Sequence, residues 1–379
     1  MGRVGRVAKQ RVAAVLCGVL LAGSACSDPP QSAPPQNSPD PHASHSIRPA
    51  APLRDGERFV TVSMPEPYTP AAPSGGTDEY RCFLVDPGLT RAAFLTGNQF
   101  LPQNAAIVHH AIFFRVSPDE VAEARQADAA DDGEGWTCFG NAGISDHAAW
   151  VAHWAPGVGE NELPAGTGYP MPAGSQMVMQ VHYNLMNGSG GADRSGIRLR
   201  LTGKTDLRPL DTLTLPAPVE LPCAAGESGP LCDRTAAVQD VAKRFGPQAA
   251  MTVEGLARRC GQNRAGNEQH CDHTVQQAGT VYAVGGHMHL LGRSITVDLN
   301  GKQRLLDVKN YNFDEQAVLP LKQPVHVAPG DTLRVTCTHD AKLRRQLPQL
   351  RGLPPRYVVW GEGTSDEMCL GLVVWSADD

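Results

Sequence analysis

Ala283-Val-Gly-Gly-His-Met-His-Leu-Leu-Gly-Arg293 is the stretch around which the chain is organised. It predicts a β-strand that is entered through two glycines. Successive side chains of a strand point to opposite faces, so His287 and His289 share one face while Met288 turns into the core. Two imidazoles at this spacing can chelate a metal ion, although two histidines on a polar sheet face would give the same pattern.

Three further stretches favour the metal hypothesis. They are Ile107-Val-His-His-Ala-Ile-Phe-Phe114, Met177-Val-Met-Gln-Val-His-Tyr-Asn184 and Thr364-Ser-Asp-Glu-Met-Cys369. Nitrogen ligands combined with a neutral sulfur select copper, because a thioether stabilises Cu(I) and imidazole serves both oxidation states. The predicted metal ligands are His109, His110, His182, His287, His289 and Met368.

Length, charge and cysteine content limit the class of protein. The 379 residues suggest two medium domains plus additional segments, and a net charge of −6 implies neither nucleic acid nor an anionic membrane as a partner. Without Cys17 and Cys26 in the leader, eight of the ten cysteines remain, and an even number in an exported chain predicts four disulfides. One predicted bridge is Cys337–Cys369. By closing the loop between these residues it should stabilise the folded state by roughly 3–4 kcal/mol in the chain-entropy model. Cys223, Cys232, Cys260 and Cys271 allow three pairings, which the sequence leaves open.

The start of the chain predicts export. Residues 1–26 have a basic segment, a short apolar run and the lipobox-like Ala22-Gly-Ser-Ala-Cys26. Cys26 would then carry a lipid in the cell envelope, although Gly23 replaces the usual Leu, so plain cleavage near Ala25 and secretion stay open. Residues 27–56, rich in Pro and Ser, predict a disordered tether. No later segment is apolar over the length that a membrane span requires.

The rest of the chain predicts an all-β fold of two antiparallel, jelly-roll-like β-sandwich domains, residues 57–205 and 206–379. Short β-like runs recur between Pro and Gly turns, and long helical periodicity is scarce. One short helix is predicted at Val121–Ala130. Residues 206–280 predict a cysteine-rich, partly helical insertion in the second domain, with helices at Asp233–Phe245 and Ala249–Arg259.

Two strand patterns bear on the ligand set. The strand from Met177 has Met177, Met179, Val181 and Tyr183 on a core face, and the face with Gln180 and His182 suggests a solvated cleft. His109 and His110 are adjacent, so a regular strand points them to opposite faces. Either His110 is a core histidine, or a bulge or strand end redirects one ring.

These motifs resemble the copper type II, ascorbate-dependent monooxygenases, which include peptidylglycine α-hydroxylating monooxygenase and dopamine β-monooxygenase. The resemblance is carried by His109-His110, Gln180-Val-His-Tyr183, His287-x-His289 and Ser365-Asp-Glu-Met-Cys369, in matching order and approximate spacing. The segment from Trp150-Val-Ala-His-Trp-Ala-Pro-Gly157 through Leu163-Pro-Ala-Gly166 resembles the family's linker before the third histidine. The resemblance covers roughly residues 79 to 376, without most of 206 to 275.

The resemblance implies two sandwich domains that face each other across a solvent-filled cleft, each with one copper. The His109/His110/His182 copper would store and pass electrons. The His287/His289/Met368 copper would bind and reduce dioxygen beside the substrate, with Gln180 as a further catalytic residue. Ascorbate or another one-electron donor would recharge both, and one oxygen atom would enter a C–H bond of a small organic substrate.

The chain departs from the family's pattern at substrate-binding positions. Peptide-amidating members carry an Arg for the substrate carboxylate where this chain has Gly285, and a Tyr where it has Leu372. Arg115 stands near the position of a family cysteine. The alternative function is a non-catalytic envelope protein that binds or buffers copper with the same ligands. A zinc hydrolase is a weaker third interpretation, because no acidic general base stands beside the histidines.

Overall fold

The computed structural model describes residues 49–72, 77–144, 148–186, 190–261 and 264–378. The predicted leader with Cys26, and the tether up to residue 48, lie outside these ranges. None of the helices within them is long and apolar enough to cross a bilayer.

The first half of the described chain is a sandwich of two sheets. Its strands are β1 Glu57–Ser63, β2 Asp78–Val85, β3 Ala93–Leu101, β4 Val108–Val116, β5 Trp136–Thr137, β6 Ala149–Trp154, β7 Asn161–Glu162, β8 Thr167–Met171, β9 Gln176–Asn184, β10 Gly196–Thr202 and β11 Arg208–Pro209. One sheet has the order β1-β10-β3-β8-β11 with β7 beside β3, and the other has the order β5-β2-β9-β4-β6. The pairs are antiparallel except β8 with β11.

The core of this sandwich confirms the face predicted for the Met177 strand. Met177, Met179, Val181 and Tyr183 on β9 are fully buried between the two sheets. Helix α1, Val121–Ala130, has the predicted bounds and packs through Ala124 on the outer face of the β9 sheet. That outer face holds Gln180 and His182 further along, so the strand carries core residues on one side and site residues on the other.

The second half forms another sandwich. Its elements are β12 Asp211–Pro216, β13 Glu220–Leu221, β14 Glu268–Thr274, β15 Gly279–His287, β16 Gly292–Leu299, β17 Gln303–Val308, β18 Leu319–Val327, β19 Thr332–His339, β20 Val358–Val359 and β21 Leu370–Ala377, with helix α4 at Leu343–Gln346. The sheets β12-β21-β15-β18 and β14-β19-β16-β17 enclose an apolar core, and β13 pairs with β20. The mostly β architecture with few helices confirms the predicted all-β class.

Two helices form the partly helical insertion. They are α2, Arg234–Phe245, capped by the Asp233 side chain, and α3, Pro247–Arg259. The helical part is narrower than the predicted residues 206–280, because β12 pairs with β21 and β14 pairs with β19 within the second sandwich. The division of the chain between residues 205 and 206 stays a prediction.

Four disulfides join the eight cysteines of the described chain. The pairs are Cys82–Cys138, Cys223–Cys232, Cys260–Cys271 and Cys337–Cys369. The predicted number and the Cys337–Cys369 bridge are thereby confirmed, and the insertion uses the short-loop pairing. Stable disulfides are typical of an oxidising compartment, in agreement with an exported protein.

Candidate metal centre

A β-bulge brings His109 and His110 to the same place. The register between β4 and β9 shifts between Val108 and His110, so that His110 lies opposite His182. The Nδ1 atoms of His109 and His110 are 3.1 Å apart, and Nδ1 of His182 is 3.2 Å from Nδ1 of His110. The structure therefore selects the bulge from the two alternatives that the sequence left open.

The three rings have the properties of a metal site. One ligand atom from each of His109, His110 and His182 lies within 4.8 Å of the others, and all three residues are buried. Burial and the neighbouring imidazoles lower the pKa of His110 well below its ordinary value, so this ring stays neutral. A cation placed among the converging ring nitrogens would be bound by their lone pairs, as in metal ligation by imidazole.

Asp78 fixes the orientation of His182. Its carboxylate accepts a hydrogen bond from Nε2 of His182 at 2.9 Å and further bonds from the hydroxyls of Thr77 and Thr364. Burial raises the pKa of Asp78, but the bonds from His182 and the hydroxyls outweigh burial and lower the pKa below its ordinary value. With Nε2 protonated toward Asp78, Nδ1 of His182 is left to point at His110, as in a carboxylate–histidine–metal arrangement.

The second pair of histidines stands at the end of β15. The strand ends at His287, one residue before Met288, whose side chain is buried in the core as predicted. The rings of His287 and His289 have centroids 5.2 Å apart. His287 shares an Nδ1 hydrogen bond with the side-chain oxygen of Gln316, and burial with the neighbouring His289 lowers the pKa of His287 to about 3.

His289 carries the clearest sign of an expected ligand. It is 1% exposed, and within the described ranges neither of its ring nitrogens has a hydrogen-bond partner. Buried polar atoms are normally paired, so two orphaned nitrogens on one ring require an explanation. A bound metal ion provides one.

The loop that carries Met368 is joined to the His289 turn through Glu367. The fully buried Glu367 carboxylate accepts hydrogen bonds from the backbone N–H groups of His289, at 2.9 Å, and Leu291, at 2.6 Å. Met368 itself is 6% exposed and lines the same cavity as His287 and His110. The Cys337–Cys369 disulfide fixes the next residue, so this loop is held on both sides of the thioether.

The two ligand sets meet in one cluster. The ring centroids of His110 and His287 are 5.5 Å apart, and Phe313 stacks on His109 at 4.1 Å and approaches His289 at 6.2 Å. These short distances differ from the arrangement that the resemblance implied, in which the two ligand sets face each other across a solvent-filled cleft. The sequence shows the polar face of β9, but it does not show that the second half of the chain covers it.

A cavity of about 430 Å³ opens beside this cluster. His110, His287, Met368 and Gln180 line it together with the indole rings of Trp150, Trp154 and Trp360. Gln180 is 1% exposed, and its amide donates to the backbone oxygen of Asn141 at 2.6 Å. Four of the seven predicted site residues line the cavity: His110, Gln180, His287 and Met368. The other three, His109, His182 and His289, belong to the same cluster of rings.

Several site residues were missed from the sequence. Asp78, Gln316 and Phe313 belong to no motif, and only the folded chain brings them to the histidines. Glu367 lies within the stretch Thr364–Cys369, directly before the proposed ligand Met368. A carboxylate next to a proposed ligand is a signal that could have identified it. His153, within the linker-like segment, also lines the cavity, and burial lowers its pKa to about 4. His42 and His45 lie outside the described residues.

The donor set fits copper. Five imidazoles and a thioether match the ligand preference of a metal that alternates between Cu(I) and Cu(II). The orphaned nitrogens of His289 and the convergence of three Nδ1 atoms show where positive charge would be accommodated.

Comparison with known proteins finds a family that is similar to the last third of the chain. Residues 257–377 match the family model described as copper type II ascorbate-dependent monooxygenase, C-terminal domain. This part of the chain is thus similar to the C-terminal domain of the copper type II, ascorbate-dependent monooxygenases. The matched region includes His287, His289 and Met368, and so the recognition made from the motifs is confirmed.

Two animal proteins are similar over the larger part of the chain. MOXD1 homolog 1 of Drosophila melanogaster is 25% identical over 234 residues, which cover 59% of this chain and 28% of that protein. Tyramine beta-hydroxylase of Caenorhabditis briggsae is 24% identical over 235 residues, which cover 59% of this chain and 33% of that protein. The match thus spans about a third or less of the length of these relatives.

Proposed function

We propose that the protein is a copper-dependent monooxygenase that hydroxylates a C–H bond of a small organic substrate. The observation that carries the proposal is the single cluster of five imidazoles, which borders a cavity that Met368 also lines. The overall reaction consumes the substrate, dioxygen, two electrons and two protons, and it yields the hydroxylated product and water. Ascorbate or another one-electron donor supplies the electrons.

The chain would hold two copper ions. His109, His110 and His182 are the proposed ligands of one, and His287, His289 and Met368 are the proposed ligands of the other. When bound, copper supplies one-electron transfer and the activation of dioxygen. Asp78 and Gln316 orient His182 and His287 through their second ring nitrogens, and Glu367 sets the backbone between His289 and Met368.

The apolar wall of the cavity would exclude water from the place where the reaction occurs. Three indole rings and the side chains of Ile112, Leu256 and Leu370 make most of the wall apolar. A small apolar substrate would displace water from this surface and bring a C–H bond next to His287 and Met368. Gln180, anchored to the backbone of Asn141, is proposed to complete the wall between the two ligand sets.

Measurement of oxygen uptake coupled to product formation tests the function. The full chain, loaded with copper, is mixed with ascorbate and small aryl- and alkyl-substituted acids, amides and amines, and products are sought by mass spectrometry. We expect uptake that depends on both ascorbate and the organic compound, and incorporation of one atom from ¹⁸O₂. His182→Ala should abolish it, and His326→Ala, at an exposed histidine paired with Asp378, is the matched control.

A non-catalytic copper protein would behave differently. It would bind copper through the same residues, yet reduction by ascorbate and reoxidation by dioxygen would be independent of any organic compound. A Cu(II) resonance signal that ascorbate bleaches, and that returns in air at a rate unaffected by every compound, would contradict the monooxygenase and favour copper buffering.

We also propose that the protein acts outside the cytoplasm of a bacterial cell. The four disulfides support an oxidising compartment. Anchoring through a lipid on Cys26 is proposed from the lipobox-like stretch, with secretion as the alternative. Metabolic labelling with a fatty acid, compared between the natural chain and Cys26→Ala, distinguishes the two.

A further inference from the structure

Helix α3 of the insertion forms one wall of the cavity. Its residues Thr252, Gly255, Leu256 and Arg259 line the cavity and recur at the i, i+3, i+4, i+7 spacing of one helix face. His110, His287 and Met368 line the same cavity. Substrate specificity can therefore be set by a segment that lies apart from the metal ligands.

Arg259 is the permanent positive charge of this wall. It stands in the last turn of α3 with an exposed side chain, and no carboxylate of the described residues forms an ion pair with it. The next residue, Cys260, is bridged to Cys271 on β14, which fixes the backbone that carries the guanidinium. A planar guanidinium offers two parallel N–H donors, which suit a carboxylate.

The remaining wall offers an anion no comparable partner. A Cβ atom on Gly285 would lie 2.5 Å from Val318, so an arginine cannot be placed there without displacement of the strand neighbour. Leu372 makes the adjacent surface apolar. Positive charge at the rim of the cavity thus comes from the insertion.

Glu362 is the acidic residue of the cavity wall and would favour a cationic ligand instead. Burial raises the pKa of its carboxyl to about 7, with a contribution from nearby Asp366 and an opposing hydrogen bond from Trp360. The carboxyl is therefore neutral in a large part of the molecules at neutral pH, whereas a guanidinium stays charged. This difference favours an anion as the charged part of the ligand.

We propose that the cavity binds a small organic carboxylate whose carboxylate group pairs with Arg259 at the rim and whose apolar part extends along Leu256 and the indole rings. That this ligand is the substrate rests on the proposed monooxygenase function, whereas its binding does not. The ligand class is an aryl- or alkyl-substituted acid small enough for about 430 Å³.

Calorimetric titration with three matched probes tests the proposal. The copper-loaded full chain is titrated with 3-phenylpropionate, 3-phenylpropanamide and 3-phenylpropylamine, which share the aryl group and differ in charge. We expect the acid to bind best. Arg259→Gln should lower the affinity for the acid about tenfold, because a charged hydrogen bond is lost, and should leave the affinity for the amide unchanged. Arg259→Lys should restore part of the affinity for the acid.

Two variants of the same helix serve as controls. Arg258→Gln removes an exposed charge from the same helix end without touching the cavity wall, and it should leave the acid's affinity unchanged. Gly255→Leu fills the cavity, since a Cβ atom at Gly255 meets nothing within 4 Å. This variant should lower the affinities for the acid and for the amide alike. Such a result would show that both compounds bind in this cavity.

Several results would overturn the proposal. One is that the acid binds the natural chain and Arg259→Gln with equal affinity, and another is that the acid does not bind the natural chain at all. A third is that the amine binds best and that Glu362→Gln abolishes this preference. Repetition on the metal-free chain detects a carboxylate that binds copper directly, because its affinity would vanish with the metal. Metal content and ascorbate-dependent oxygen uptake, measured on the same samples, report separately on the proposed function.

Discussion

Asp78→Asn should weaken copper binding at the first ligand set while the chain still folds. The substitution keeps the shape of the side chain and removes its negative charge. All three of its hydrogen-bond partners, the His182 ring and the Thr77 and Thr364 hydroxyls, donate to the carboxylate. The amide oxygen of asparagine can still accept from His182 and Thr364, which share one carboxylate oxygen, but as a neutral acceptor, and the amide nitrogen cannot accept from Thr77.

The magnitude follows from the number and kind of bonds. Hydrogen bonds to a charged group contribute about 1.5–3 kcal/mol and neutral ones about 0.5–1.5 kcal/mol, so the bond to His182 weakens by roughly 1–1.5 kcal/mol. Loss of an outer-shell partner of a metal-bound histidine typically costs about 10- to 100-fold in metal affinity. We therefore expect a decrease of at least tenfold in copper affinity.

Competition with a chromophoric copper chelator measures this affinity, and thermal unfolding of the metal-free chain measures stability. Asp193→Asn is the matched control, since Asp193 is also fully buried and accepts hydroxyl hydrogen bonds from Tyr183 and Ser195, but touches no imidazole. It should lower stability and leave copper affinity unchanged. If both variants lose stability and keep the natural copper affinity, Asp78 only bridges two segments, and the orientation argument is refuted.

Three other predictions concern the metal ligands and pH. Met368→Ala should weaken Cu(I) binding more than Cu(II) binding and abolish hydroxylation, and a loss of roughly 2–5 kcal/mol of stability with unchanged Cu(I) affinity would instead mark a packing methionine. His182→Ala should lower the copper content from about two ions to about one, as metal analysis would show, and loss of both ions would contradict the two-site proposal. The metal-free chain should lose stability as pH falls from 6.5 toward 4, because His287 and His153, with pKa values of about 3 and about 4, stay neutral when folded but take up protons when unfolded. Each contributes a slope of roughly 1.4 kcal/mol per pH unit, and denaturation of His153→Gln at several pH values should show a shallower slope.

Sequence patterns predicted the elements whose side chains alternate. The strand around Met177 was predicted because apolar core residues alternate along it with the residues of the other face. Strand β3, with the sequence Ala93-Phe-Leu-Thr-Gly-Asn-Gln-Phe-Leu101, was missed, since Gly97 and its polar neighbours break the alternation although most of the strand is buried. Strand β6 was interpreted as a linker, because its similarity to a family segment carried no information on pairing.

The candidate ligand residues could be named from the sequence, but their arrangement could not. Histidine spacing selects candidates because chelation constrains the sequence locally, as with His287 and His289. The bulge at His109 depends on the register between β4 and β9, which a single strand does not determine. The contact between His110 and His287 depends on how the two halves of the chain pack against each other. Hydrophobic periodicity within either half does not determine this packing.

The contacts around Thr364 explain why the two ligand sets are mechanically connected. Its hydroxyl donates to Asp78, which holds His182, and it lies four residues before Met368. Tyr80, stacked on the His182 ring at 4.1 Å, donates to the backbone oxygen of Glu362 in the same loop. A displacement of the Met368 loop would therefore move the groups that orient His182, because buried hydrogen bonds of this kind are costly to leave unpaired. The loop thus carries the proposed ligand Met368 and orients the proposed ligand His182 through its hydrogen bonds.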